Sequence, residues 1–438
     1  MRAAGAVTDS RFCHERLLDD TTQAAFFRMS EEFAMTAAES DSAVLPSYDL
    51  TMPPLVRFGT GRVTEVGEVA ATLGRRIWLV TGGSSYVASG AKSGLESSLT
   101  AAGLPAVVVA QSAGEPTVSQ LATALAGLPP ERADVVVVAV GGGATIDFAK
   151  ALAALATNVS VASTAEAEAA VIDRLEGVGR SLPITQPPLP VIAVPTTAGT
   201  GAEATRNAVI SCPDRRFKKS LRSPLMVPRA AIIDPALTRS CSRATTAAAG
   251  LDCLTQLIEA FICRKRWSLP QALVLEAFPR AFAALPKVLA VPDDEPARAA
   301  LAHAAFISGV ALGNSGLGLA HGVAAALGVE CGTPHGLACA LLLPVALRIN
   351  QHESQAELAR LDATLGGPPV PADEAASRFV GRLEALCLQA GVPTRLSEVG
   401  LRADRLDWLA ENSGGNSMRG NPVQLSTPAL RDLLATVL

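Results

Sequence analysis

The sequence predicts an α/β part built on a parallel sheet followed by an all-α part, and three observations point there. Between Leu55 and Asp234 short apolar runs alternate with helix-length, alanine-rich segments. Beyond Pro235 no further β-branched run occurs. The composition, finally, suits a large buried core: with 49% hydrophobic and 18% charged residues and a mean hydropathy of +0.31, the 438-residue chain is neither disordered nor highly solvated. At roughly 150 residues per domain, this length allows two or three domains.

Residues 1–48 mix charges with small residues without a sustained period and read as an N-terminal tail outside the fold. From 49 to 240, the runs at 76–81, 106–111, 134–140, 190–194 and 231–234 are short and apolar, as strands covered on both faces are. The segments between them, 63–73, 89–102, 118–128 and 144–156, carry helical spacing. Such alternation makes βαβ units, which place helices on both faces of a parallel sheet and ligands at the carboxyl ends of its strands. From 241 to 438 nearly everything reads as helix broken by Gly and Pro, at 243–263, 270–285, 296–313, 319–327, 336–349, 374–390 and 428–437. Residues 160–180 and 291–296 read as linkers or surface insertions.

Charge and cysteine usage exclude several function classes. With 37 basic and 41 acidic residues the net charge is −4, so no global field draws the chain to nucleic acid or to an anionic membrane. Eight cysteines without paired spacing read as reduced thiols of a cytoplasmic protein. The N-terminal stretch lacks the basic start and apolar run of a secretory signal. Residues 299–329 are uncharged and imitate a membrane span, but His303, Asn314 and His321 and the Gly-rich break after residue 312 make them two buried helices instead.

Three segments carry chemistry. In the first, a hydrophobic strand runs into Gly141-Gly142-Gly143 and then a helix bearing Ala144, Thr145 and Asp147. Bare backbone N–H groups at a positive helix terminus suit a pyrophosphate, and a dinucleotide is its natural source; the alternative is a tight βα turn. Gly82-Gly83-Ser84-Ser85 is a weaker loop of the same kind. In the second, Thr196, Thr197 and Thr200 interleave with glycines after the 190–194 strand, offering hydroxyls to ribose and phosphate oxygens, or simply capping a helix. In the third, Asp252 and Gln256 stand at i and i+4, on one helix face, and His321 and His335 fall in the most apolar part of the chain. Buried imidazoles need partners, and two of them beside a carboxylate and an amide suggest a metal. Cys331 and Cys339, close by, read as small structural thiols.

Together these segments resemble the iron-containing (group III) alcohol dehydrogenase family, from about Leu50 to the C-terminus. GGGATIDFAK is similar to the family's GGGSxxDxAK, PTTAGTGAE to PTTAGTGSE, GLDCLTQLIEA to GxDALTHAxEA, and HGVAAALGVECGTPHGLACALLLP to HxxAHxLGxxxxxPHGxxNAxxLP. The resemblance implies a dehydroquinate-synthase-like nucleotide-binding domain and a helical metal-binding domain. It implies a homodimer and NAD- or NADP-linked oxidation of a small alcohol or reduction of an aldehyde, with Fe²⁺ or Zn²⁺. It implies Asp252, Gln256, His321 and His335 as metal ligands, with Asp252, His321 and His335 also catalytic. Gly82, Ser84, Gly142, Gly143, Ala144, Thr145, Asp147, Thr196, Thr197, Thr200 and Lys218 would line the cofactor; for Lys218 the alternative is an exposed Arg/Lys loop.

Three departures bear on this expectation. Gln256 stands where the family has a histidine ligand and binds first-row metals more weakly. Ala325 replaces a second histidine thought to relay the proton. Gly82 replaces an aspartate common in members restricted to NAD, so a 2′-phosphate meets no repulsion there, and Ser84 or Ser85 could bond it. The competing readings are a metal-independent reductase of the maleylacetate type and a nucleotide-binding protein whose metal site has decayed.

Overall fold

The computed structural model describes residues 47–112 and 114–438; the expected tail lies, but for its last two residues, outside the described residues. Residues 50–438 form one compact unit. The described residues include eight strands: β1 (Val56–Phe58), β2 (Arg76–Gly82), β3 (Ala106–Ser112), β4 (Val135–Gly141), β5 (Val191–Pro195), β6 (Asn207–Cys212), β7 (Phe217–Arg222) and β8 (Ala230–Ile233). Six of them make a parallel sheet in the order β1-β8-β5-β4-β2-β3, while β6 and β7 pair as a separate antiparallel hairpin.

Side-chain alternation divides the sheet between two cores. Trp78, Val80, Val137, Ala139, Val191 and Ala193 face one, with helices α4 (Val118–Ala126), α5 (Gly143–Asn158) and α6 (Thr164–Ile172). Ile77, Leu79, Val136, Val138, Ile192 and Val194 face the other, with α1 (Val66–Ala71) and α3 (Ala91–Ala101); the short α2 spans Gly83–Ala88. Every residue of β4 is buried, so its unbroken Val-rich run has apolar partners on both faces.

The chain runs from β2 outward to edge strand β3, then returns to place β4 on the other side of β2. The reversal leaves a crevice beyond the carboxyl ends of β2 and β4, where ligands of open α/β sheets bind.

One expectation needs correction in the sheet part, one alternative falls away and one strand goes unread. The exposed-loop alternative for Lys218 does not hold: 217–220 belong to β7, and the Lys218 side chain is only 7% exposed. Residues 160–180 are more than a linker, since α6 packs Ala167 and Val171 into the core. β1 escapes sequence reading because three residues carry no period.

After β8 a 3-10 turn at Pro235–Thr238 leads into the helical part. It comprises α7 (Arg243–Ile262), α8 (Ser268–Ala290), α9 (Glu295–Asn314), α10 (Leu319–Cys331), α11 (His335–Asn350), α12 (Gln355–Thr364), α13 (Ala372–Ala390), α14 (Leu406–Asn412), α15 (Asn416–Gly420) and α16 (Thr427–Ala435). Ser242 caps α7 by accepting from Thr245 N–H, and α7 is buried on all sides from Gly250 to Ile262. Helices α9 and α10 meet at a 100° bend, and no single helix among the described residues is long and apolar enough to cross a membrane.

Glycines set the closest approaches. A Cβ on Gly309 of α9 would lie 2.2 Å from the carbonyl oxygen of Gly201, which has a φ of +60° that few side chains tolerate. A Cβ on Gly336 of α11 would lie 2.5 Å from the Ala248 carbonyl oxygen of α7. Beneath the hairpin Lys150 is wholly buried, pairing with Asp147 at 2.9 Å and donating to the Ala202 carbonyl, the Thr205 hydroxyl and the Asn207 carbonyl.

Candidate active site

The helical part brings the widely spaced polar residues of the sequence together. Asp252 lies mid-way along α7, His321 in the first turn of α10 and His335 at the first residue of α11. His321 Nε2 is 3.2 Å from Asp252 Oδ1, His335 Nε2 is 4.0 Å from the same oxygen, and the two imidazole rings are 5.5 Å apart. A fourth donor joins them: donor atoms of Asp252, His321, His335 and Cys339 all lie within 4.8 Å of one another. Cys339 is thus part of the cluster rather than a bystander. The detectable signal was its i+4 spacing from His335 on α11.

Gln256 lies beside this group, one turn along α7 from Asp252. Its amide Nε2 donates to Asp252 Oδ2 at 3.1 Å, and its Oε1 accepts from the Ser308 hydroxyl of α9 at 2.7 Å. Both ends of the amide are engaged, one at Asp252 and the other at Ser308.

Glu259, two turns along α7 from Asp252, performs the same service for His321. Its Oε2 accepts from His321 Nδ1 at 2.7 Å and from Gly318 N–H at 2.9 Å, and its Oε1 from Ala320 N–H at 2.7 Å. One buried carboxylate thereby satisfies the uncapped start of α10 and turns the imidazole so that Nε2 faces Asp252. The signal for it was Glu259 of GLDCLTQLIEA, which matches the fixed Glu of the family pattern GxDALTHAxEA, but spacing alone does not say which histidine it holds.

The electrostatics follow from burial and proximity. Burial alone would raise the Asp252 carboxyl, but His335 and His321 beside it outweigh that and hold it below the usual carboxylate range. Burial pushes His335 down to about 4, keeping its ring neutral, and pushes the Cys339 thiol up to about 12. Burial opposes charge on His321, yet Cys339, Asp252 and Glu259 around it raise it well above the imidazole value. Asp252 Oδ1 and His321 Nε2 are buried without a hydrogen-bond partner. Oxygen, nitrogen and sulfur donors converging on one point with such atoms unsatisfied fit a divalent cation.

The cofactor-type residues cluster at the crevice. Gly142 is the N-cap of α5 and Gly143 its first residue, with no side-chain cap over the N–H groups. Ala144 and Thr145 complete that first turn. A Cβ on Gly142 would meet the Thr197 side chain at 3.3 Å, and one on Gly143 the Thr200 hydroxyl at 2.3 Å, so the two loops pack directly on each other. Thr196 N–H donates to the Gly141 carbonyl at 2.9 Å, while the Thr196 hydroxyl is buried without a partner. At the end of β2, a Cβ on Gly82 would lie 2.4 Å from the Ser85 hydroxyl and 3.3 Å from that of Thr145, whereas Ser84 is exposed. Asp147 stands apart: its carboxylate accepts from Val209 N–H at 2.9 Å and pairs with Lys150, anchoring the hairpin.

Two contacts connect the crevice to the cluster. A Cβ on Gly199 would lie 2.8 Å from Ala249 of α7, one turn before Asp252. Lys218 pairs with Glu115 at 2.5 Å, and the charges of both reach His335.

Comparison with known proteins agrees with this architecture. Residues 53–235 match the family model described as iron-containing alcohol dehydrogenase, and residues 246–438 match that of the Fe-containing alcohol dehydrogenase family, C-terminal. Lactaldehyde reductase of Escherichia coli (strain K12) is 32% identical over 81% of this chain and 90% of its own. The NAD-dependent methanol dehydrogenase of Bacillus methanolicus is 28% identical over 83% of this chain and 92% of its own. The crystal structure of a 1,3-propanediol oxidoreductase superposes with a TM-score of 0.81 at 26% identity, covering 90% of this chain and all of the other.

Proposed function

The chain belongs to the iron-containing alcohol dehydrogenase family of oxidoreductases, and from that premise we propose that it transfers hydride between NAD or NADP and a small alcohol or aldehyde at a divalent metal centre. The observation that carries the reading is the convergence of buried, unsatisfied donors of Asp252 and His321 with His335, one turn beyond the point where the Thr/Gly loop packs on α7. The printed names of the relatives, a lactaldehyde reductase and an NAD-dependent methanol dehydrogenase, support small alcohols and aldehydes as the substrate class.

Asp252, His321 and His335 would hold the cation, and Gly142, Gly143, Ala144, Thr145, Thr196, Thr197 and Thr200 would hold the dinucleotide, with Gly82, Ser84 and Lys218 at its margins. When bound, the cation supplies Lewis acidity to the substrate oxygen and the nicotinamide supplies the hydride exchange. The chain itself binds and orients. The exposed N–H groups at the start of α5 receive phosphate oxygens, and the Thr196 hydroxyl offers a bond to a sugar or phosphate oxygen. Glu259 would keep the proton of His321 on Nδ1, leaving the Nε2 lone pair free to face the cation. A side chain at Gly82 would force Ser85 aside, and the absence of a carboxylate there leaves room for a 2′-phosphate as well as a hydroxyl.

The test is oxidation of NADH and NADPH with a panel of short aldehydes, with and without added Fe²⁺ or Zn²⁺. Turnover that requires the cation is expected, and its absence across the panel overturns the reading. A metal-independent reductase is the second reading, favoured by the engagement of Gln256 with Asp252 and Ser308; activity that survives chelation selects it. A cytoplasmic homodimer completes the proposal, and light scattering of the purified protein tests the dimer.

A further inference from the structure

The metal reading leaves one member of the donor cluster without a role. We propose that the Cys339 thiolate is a ligand of this centre, in the place expected of Gln256, and that the centre is consequently selective for a thiophilic cation such as Zn²⁺ over Fe²⁺. The inference rests on the metal centre proposed above.

Geometry carries it. Cys339 Sγ is 3.8 Å from His335 Nε2, alongside separations of 3.2 Å and 4.0 Å from the two imidazoles to Asp252 Oδ1. Bonds of about 2.0–2.3 Å to a tetrahedral ion separate neighbouring donors by about 3.3–3.7 Å, so these four atoms need only small adjustments. Two of them, Asp252 Oδ1 and His321 Nε2, belong to side chains 2% and 5% exposed, lack hydrogen-bond partners and face the same point.

Gln256 is the weaker candidate because a glutamine ligates through Oε1, and that oxygen accepts from Ser308 while the amide nitrogen faces Asp252. Turning the amide oxygen toward the cluster would give up the bond to Asp252. Cys339, in contrast, shares a helix face with His335 and has no competing anchor of that kind. The family pattern PHGxxNAxxLP has asparagine at this position, where this chain has the thiol.

On binding, the S–H bond breaks, its proton leaves to solvent and a sulfur–metal bond forms. Two anionic donors and two neutral imidazoles then balance the charge of a divalent ion. A thiolate in the set favours Zn²⁺ and other soft or borderline ions over Fe²⁺.

The experiment uses the whole protein stripped of metal and reloaded. Elemental analysis is expected to give about one Zn²⁺ per chain, X-ray absorption one sulfur neighbour at about 2.3 Å, and Co²⁺ loading a near-ultraviolet sulfur-to-cobalt band. In Cys339→Ala and Cys339→Asn the sulfur neighbour and the band disappear and Zn²⁺ affinity falls by about tenfold or more, while Gln256→Ala keeps both signatures. Stoichiometric metal with only oxygen and nitrogen neighbours, or a band that survives Cys339→Ala, overturns this inference and leaves the dehydrogenase reading intact. Failure to bind any divalent cation overturns both.

Discussion

At the residue scale, two buried carboxylates play opposite parts. Glu259 accepts three hydrogen bonds, two of them from backbone N–H groups that have no other partner at the start of α10. Glu259→Gln presents an NH₂ group to one of those donors, so it is expected to cost about 1–3 kcal/mol of stability and to weaken metal binding about 10–100-fold. Urea unfolding and calorimetric titration of the metal-free variant measure the two effects, and unchanged metal affinity would show that His321 needs no such partner. Glu203, by contrast, is pushed by burial up to about 7 from an ordinary 4.5, against the pull of its own backbone N–H and of Lys150. A carboxyl raised on folding stabilises the fold only while protonated, so its contribution is whole below about pH 4.5 and is lost as pH rises through 7. Glu203→Gln is therefore expected to leave stability unchanged near pH 4.5 and to raise it by up to about 3 kcal/mol at pH 8. Unfolding curves of the two proteins that run parallel across this range would contradict the assignment.

At the scale of elements, the loop carrying Thr196, Thr197 and Thr200 lies on α7 and α9 at glycines, not at side chains. Gly309→Ala puts a methyl group against the Gly201 carbonyl and is expected to cost about 1–3 kcal/mol and to weaken cofactor binding, with metal content unaltered because no ligand lies on that loop. Fluorescence titration with NADH and elemental analysis separate these outcomes. The same comparison explains what was legible beforehand. β4 and the two loops were readable because a Val-rich run ending in glycines has few other interpretations, and the polar pairs of α7, α10 and α11 because they interrupt apolar sequence. The hairpin was not, since β7 is rich in Lys and Arg, and its partners Glu115 and Glu176 lie far away in sequence. Nor could spacing tell that Gln256 would bond Ser308, which lies 52 residues on.

Across the whole molecule, sheet and helices are joined by close backbone contact at Gly201–Gly309, by Thr51 bonding Asn314 at 2.7 Å and 2.8 Å, and by Arg216 and Arg405 gripping Glu330 over Trp408. Glu330 is only 11% exposed and is held bidentately by Arg405 and by Arg216, so Glu330→Ala is expected to cost about 1–3 kcal/mol, while the backbone seam makes the parts unfold together. Calorimetry of the metal-free protein is expected to give one transition for residues 50–438. A divalent cation at a hundred times its dissociation constant should move all of it by about 2.7 kcal/mol, although every ligand lies among the helices; a shift of only part of the heat would deny the coupling. The interred ammonium of Lys150 has a last consequence. An acylating reagent that modifies surface lysines within seconds cannot reach it until the hairpin lifts, so the rate at which mass spectrometry finds that one amine labelled is a stopwatch on that opening.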